Sequence, residues 1–312
     1  MVNGLNLLFQ FLNSFAFIVL AAAGLAIIFG IMGVINLAHG EFIMVGAYGT
    51  TLSANAGVPL PAAMLVGVTV TAVFGLIVER TIISAAVPNW VAERTVGRPV
   101  VKPMYDRMLD SMVATWGLSL VMVEGARYIF GNSLPAIGTP LGTIRYAGGS
   151  YSTSVYGVVL AVASVCTIGL MYWLFTRTDY GMRARATVQN ESMAAALGVD
   201  TERTYMTTFT VGSALAGLTG ALYAPTITMV PGLGGSFLVE AFVAVVVGGT
   251  NVILGTLLGG GVLGLINAAF SNLYGTFFGR IALLVFAIIV LRFLPRGVTG
   301  LIETIRDRRE VA

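Results

Sequence analysis

The chain has 312 residues, of which 57% are hydrophobic and only 10% charged, with a mean hydropathy of +0.90 and a formal net charge of +3. A water-soluble domain carries about 25% charged residues, so a fold whose whole surface faces water is excluded and the bilayer must act as solvent. One histidine and one cysteine, Cys166, exclude an intrachain disulfide and a thiolate metal site, and leave almost nothing for a zinc centre.

The first apolar stretch runs from Leu5 to Tyr48. Arg80 is the first basic residue, so the start lacks the positive flank of a cleavable signal and reads as retained structure. Gly33-Val-Ile-Asn-Leu-Ala-His-Gly-Glu41 interrupts the stretch and holds the sole histidine. Hydrocarbon tolerates ionisable side chains only where they face protein or water. Asn36, His39 and Glu41 therefore predict a polar seam or a broken helix. His39 and Glu41 are two residues apart and point to different sides of an intact helix; a break at Gly40 brings both to one cavity. Two accounts stand at this point: a pore-lining or gating pair, or a hydrogen-bonded cluster that pins a bent helix.

Further apolar segments follow at about 60–78, 108–130, 154–176, 206–226, 236–250, 252–270 and 279–294. The expected fold is all-α and polytopic, a single transmembrane domain over 1–312 with about 8–9 membrane segments, some broken or re-entrant. The segment 236–250 is shorter than the ~20 residues that cross a ~30 Å core and suits a half-span. Asn55 to Pro59 and Gly131 to Gly149 read as loops. Gly255-x-x-x-Gly259, Gly260-x-x-x-Gly264 and Gly212, Gly217 and Gly220 predict close helix approach within one bundle. Glu124 and Arg127, three apart, predict a local ion pair. Glu240 either sits at an outer mouth, paired with Arg280, or lines a path. Trp116, Tyr172 and Trp173 suit an interface or the core.

Of the 17 Lys and Arg, five lie in 79–107, four in 177–205 and five in 292–312. The positive-inside bias makes those three segments, and the C-terminus, cytoplasmic. The 131–153 loop is then outside. For the N-terminus, parity alone does not choose a side.

The only lysine, Lys102, follows a valine, so there is no phosphate-binding G-x-x-x-x-G-K-[ST] loop. His39 has no acid or nucleophile in a triad arrangement. If nucleotide hydrolysis drives this protein, another subunit hydrolyses it. In the segment 177–205, residues 190–197 have helical propensity, Gly198 suits a C-cap, and a second helix follows from Asp200 or Thr201. A short helix with small side chains, held between two spans, reads as a docking knob or as an ordinary loop.

Gly24 to Tyr48, Gly181 to Thr210, Val245 to Thr256 and Arg292 to Gly297 together resemble, in order, the LivH-type permease subunits. These belong to ATP-binding-cassette importers of branched-chain amino acids, amides and urea. The resemblance implies a pore shared with a second, homologous permease, two cytoplasmic ATPases, an extracytoplasmic solute-binding protein, and a multi-pass location in the bacterial inner membrane among lipid. It implies no cofactor and no nucleic-acid partner. In such importers a loop with an E-A-A-x-x-x-G pattern docks in the ATPase. Aligned on Gly198, the pattern's end falls on Ala194, Ala195 and Gly198. Its glutamate position holds Ser192, and Glu191 stands one residue earlier. Arg107 to Leu120 and Ala186 to Asn190 are more similar to the urea-type permeases, which implies urea or a short amide as cargo before a branched-chain amino acid. The rival is a stand-alone channel or gradient-driven carrier for a small neutral solute, which needs no docking knob. An intramembrane enzyme comes third, because no nucleophile and base can be paired.

Overall fold

The apolar runs and turn residues become twelve α-helices in a computed structural model that describes residues 2–96, 103–105, 108–146, 151–249, 251–294 and 297–301. Lys102, Arg107, the Pro295-Arg296 step and the basic tail from 302 lie outside the described residues. The helices are α1 (Val2–Met32), α2 (His39–Asn55), α3 (Leu60–Val78), α4 (Ala86–Val96), α5 (Met108–Phe130), α6 (Val155–Arg177), α7 (Asp179–Gln189), α8 (Glu191–Ala196), α9 (Thr201–Tyr223), α10 (Gly234–Gly248), α11 (Val252–Tyr274) and α12 (Thr276–Phe293). A π-helical turn, Glu79–Ile83, prolongs α3. The expected 131–149 loop also leads into a small antiparallel hairpin of β1 (Thr143–Tyr146) and β2 (Tyr151–Ser154), with Thr143 paired to Ser154. Four-residue strands are too short for their alternation to stand out from loop composition.

Among the described residues, five helices are long and apolar enough to cross a membrane: those over Gly4–Met32, Leu60–Ile83, Val155–Arg177 and Val252–Tyr274, and the one that begins at Thr276. The segment read as a half-span is the shorter apolar helix α10. Helix α9 is more polar, yet most of its threonine hydroxyls return to carbonyls of its own preceding turn, as Thr208 does to Thr204 and Thr219 to Leu215. Polar groups satisfied in this way need no water.

The chain forms two compact units, with α1, α6 and α10 contributing residues to both. One unit comprises Ile27–Ile137 and Tyr172–Leu238. Its centre is α2, α3 and α9 packed together. On α3 only Ala63, Gly67, Thr71, Gly75 and Val78 are buried, a stripe one residue wide. Gly67 lies against the Gly46 carbonyl and Thr50, and Gly217 lies against Thr71. Side chains larger than these would hold the backbones apart, so the helices touch through small residues.

The other unit comprises Met1–Ala26, Gly138–Met171 and Val239–Ala312. Here the four glycines of the two G-x-x-x-G pairs face two neighbours. Gly255 and Gly259 meet Gly248 and Ala244 of α10, whereas Gly260 and Gly264 meet Val19 and Phe15 of α1. The expected use of these glycines, packing inside one bundle, is what the structure has. Asn6 Nδ2 donates to Asn272 Oδ1 at 2.7 Å, so α1 and α11 run antiparallel, with the start of α1 beside the end of α11.

Candidate functional site

The interruption of the first apolar stretch is a six-residue gap, 33–38, between α1 and α2. Gly33 closes α1 with φ of +65°, a backbone state that only glycine adopts cheaply. Asn36 then starts α2: its Oδ1 accepts the Ala38 N–H at 3.0 Å and its carbonyl accepts the His39 N–H at 3.2 Å. Thr115 of α5 buttresses the gap, its hydroxyl accepting the Leu37 N–H at 3.0 Å and lying 3.3 Å from the Ile35 carbonyl. Non-helical backbone inside a membrane survives only when protein satisfies it in this manner.

The break therefore precedes His39 instead of falling at Gly40. Gly40 is helical, and its bare α-carbon lies against the backbone of Gly234, the first residue of α10. A glycine expected to bend the chain is used for close approach. The result is still a polar seam, because Asn36, His39 and Glu41 are 1%, 0% and 4% exposed. The Ser119 side chain of α5 lies close to the Glu41 carboxylate. Asn36 Nδ2 and Glu41 Oε2 have no hydrogen-bond partner in the protein.

Along the same faces of α2 and α5 lies an apolar cavity of about 300 Å³, lined by Met44, Tyr48, Val70, Phe74, Met122 and Phe130 among others. Glu240 belongs to the other unit. There Arg280 Nε reaches Glu240 Oε1 at 2.9 Å, and the carboxylate is buried while the guanidinium is half exposed. The pairing expected from sequence is present. So is that of Arg127 with Glu124, at 2.7 Å.

The 177–205 segment is a chain of capped helices. Thr178 caps α7, Asn190 Oδ1 accepts the Met193 N–H at 2.9 Å to cap α8, and Asp200 Oδ1 accepts the Arg203 N–H at 2.9 Å to cap α9. Ser192, in the pattern's glutamate position, donates to Asn190 Oδ1 at 2.8 Å, and Glu191 is half-buried in the first turn of α8. Gly198 ends the knob at φ of +89°. Ala194 is buried, so of the small residues Ala195 forms surface and Ala194 packs inward. What the sequence reading missed is the apolar surface beside it. Leu197 is 79% exposed, and Met182, Val188 and Met193 are exposed near it in the chain. A leucine directly before the C-cap glycine of a charged loop was the available signal.

The end of α3 is tied to this segment. Arg80 Nη1 donates to Glu202 Oε1 at 2.6 Å, and the Tyr105 hydroxyl donates to Glu79 Oε1 at 2.6 Å while its ring packs on Tyr205. Burial, with the Glu79 carboxylate second, pushes the Tyr105 hydroxyl well above the usual phenol range. Among the described residues no three His, Cys, Asp or Glu side chains are grouped to hold a metal ion.

The profile of the family described as "Branched-chain amino acid transport system / permease component" matches residues 7–294. The high-affinity branched-chain amino acid transport system permease protein LivH of Escherichia coli is 27% identical over 299 residues, 90% of each chain. BraD of Pseudomonas aeruginosa, with the same description, is 29% identical and covers 90% of this chain and 91% of its own. A probable LivH of Methanocaldococcus jannaschii is 29% identical over 91% and 88%. No solved structure matches the chain.

Proposed function

The chain belongs to the family of branched-chain amino acid transport permease components, and from that premise we propose that its 312 residues form one permease domain of an ATP-binding-cassette importer in the bacterial inner membrane. It pairs with a second permease, stands on two cytoplasmic ATPases and receives solute from an extracytoplasmic binding protein. The carrying observation is the capped knob at α8, which presents Leu197 and Met193 bare of protein. Exposed apolar side chains on a rigid, charged loop fit a groove on a partner. In this reading Glu191, Ser192, Ala195, Leu197 and Gly198 form the docking surface, and Ala194 holds it to the bundle. Movement of the ATPases then reaches α9 and α3 through Arg80 and Glu202.

The basic segments and the C-terminus lie in the cytoplasm. Taken with that orientation, the antiparallel run of α1 and α11 supports an external N-terminus, with the start of α1 beside Tyr274. Asn36, His39, Glu41 and Glu240 are assigned to the solute path or its helix break, and Gly40 to the helix contact beside it. Branched-chain amino acids are the favoured cargo, because the likeness to LivH and BraD extends over most of the chain. The urea-type likeness of Arg107 to Leu120 supports a short amide as second reading.

The test is uptake of labelled leucine and of labelled urea by cells with and without the partner ATPase. Uptake that stops without the ATPase supports an importer subunit, and the accepted label names the cargo. Undiminished uptake establishes the stand-alone channel or carrier instead.

A further inference from the structure

The entry to α2 and its first turn carry two unused polar atoms of opposite character, Asn36 Nδ2 and Glu41 Oε2. Asn36 is pinned over that turn by its Oδ1 bond to the Ala38 N–H, which holds the attached Nδ2 donor at the same helix end. Nδ2 is buried and has no protein acceptor, and Glu41 Oε2, in the first turn of α2, is buried with no protein donor. The first residue of α10 abuts the backbone of Gly40, so the N-termini of α10 and α2, each with partial positive charge, meet in the first turn of α2. Buried polar atoms in membrane proteins are costly unless paired. A donor that lacks an anion and a carboxylate that lacks a cation ask for a ligand bearing both.

The apolar cavity continues the same two faces. Met44, Val45 and Tyr48 follow Glu41 at three, four and seven residues on α2, and Met122 and Ala126 follow Ser119 at three and seven on α5. Residues at those spacings stack along one helix face, one turn of 5.4 Å apart. Glu41 and Ser119 therefore stand one turn from the cavity, on the two helices that supply most of its wall.

We propose that this is a seat for a free α-amino acid zwitterion in transit: Asn36 Nδ2 and the converging helix ends take the α-carboxylate, Glu41 takes the α-ammonium, and a branched aliphatic side chain enters the cavity between α2 and α5. The seat rests on the import reading above but adds what that reading lacks, a reason why one half of the path favours zwitterions over uncharged solutes. Urea and short amides have no carboxylate for Asn36 and no ammonium for Glu41.

The experiment uses the assembled transporter in proteoliposomes, with leucine uptake, ATP hydrolysis and permease abundance all measured. Glu41→Gln keeps the shape and removes the charge, and is expected to cut leucine uptake at least tenfold while abundance and ATP hydrolysis hold. Glu41→Asp, which restores the charge, recovers part of the uptake. In a Val45→Cys, Cys166→Ser background, L-leucine slows maleimide labelling of Cys at 45, whereas 4-methylpentanoate, which lacks the ammonium, and urea do not. Glu41→Gln removes that protection. Normal leucine uptake by Glu41→Gln, or equal protection by 4-methylpentanoate, overturns the seat and leaves ATP-driven import standing. Leucine uptake by the unmodified transporter without ATP overturns the import reading itself. If Glu41→Gln does not accumulate, Asn36→Ser carries the test, with unchanged leucine protection at position 45 as the overturning result.

Discussion

Gly40 and Gly234 touch backbone to backbone, so that a methyl group on either one would overlap the other's main chain. The contact fixes where α10 begins relative to α2 and leaves no room for any side chain. Gly40→Ala is expected to destabilise the protein by about 1–3 kcal/mol, the usual range for overpacking, and Gly40→Val by more. Thermal unfolding in detergent measures this. An unchanged midpoint for Gly40→Val would show that the two helices separate freely.

Thr115 supplies an acceptor to a backbone N–H that no helix can satisfy. Thr115→Val keeps the shape and removes the hydroxyl, stranding the Leu37 N–H at a cost of about 1–3 kcal/mol. Thr115→Ser retains the hydroxyl and is expected to cost less than half as much. Equal losses for the two variants would mean that the methyl group matters and the hydrogen bond does not.

Leu197→Asp places a charge on a side chain that is 79% exposed, so the fold is expected to hold within about 0.5 kcal/mol. Import should nevertheless fall at least tenfold, with permease abundance unchanged. Gly198→Arg is expected to abolish import as well, but it also forces a side chain into a left-handed backbone state, which costs about 1 kcal/mol. Leu197 is therefore the cleaner probe. Full uptake by Leu197→Asp would remove α8 from the docking surface.

Tyr105→Phe leaves the buried Glu79 carboxylate without its 2.6 Å donor, an expected loss of about 1–3 kcal/mol. Glu202→Gln breaks an ion pair whose partners are both partly exposed, and its stability effect stays under about 1 kcal/mol. Chemical denaturation of the two variants side by side tests the ranking, which fails if Glu202→Gln proves the costlier change.

Sidedness has a direct check. Cysteine at Asn6, in a Cys166→Ser background, is expected to react with an impermeant maleimide from outside intact cells, and cysteine at Leu197 only after the inner face is opened. The reverse pattern would invert the proposed topology.

Much of this architecture is legible from residue order. Apolar length locates α3, α5, α6 and α11 closely, because each helix must bury or expose one long greasy stretch. The helices of 177–205 are legible because Asn190, Asp200 and Gly198 are strong local signals whose geometry needs no distant partner. Gly40 was misread because a glycine that bends a chain and a glycine that admits another backbone look identical until the second backbone, Gly234, is known. That Ala194 is buried and Leu197 exposed is not readable for a similar reason: which side of α8 packs inward depends on contacts that a six-residue helix does not encode by itself.

The narrow stripe of Ala63, Gly67, Thr71 and Gly75 has a mechanical corollary. Interlocked leucines ratchet, since each must change rotamer before its neighbour can pass. A seam of hydrogen atoms, methyls and one hydroxyl has little to unlatch. Where α3 meets α9, Thr71 sits against Gly217 and Gly75 against Ser213, so no bulky side chain must swing aside before these two helices shift.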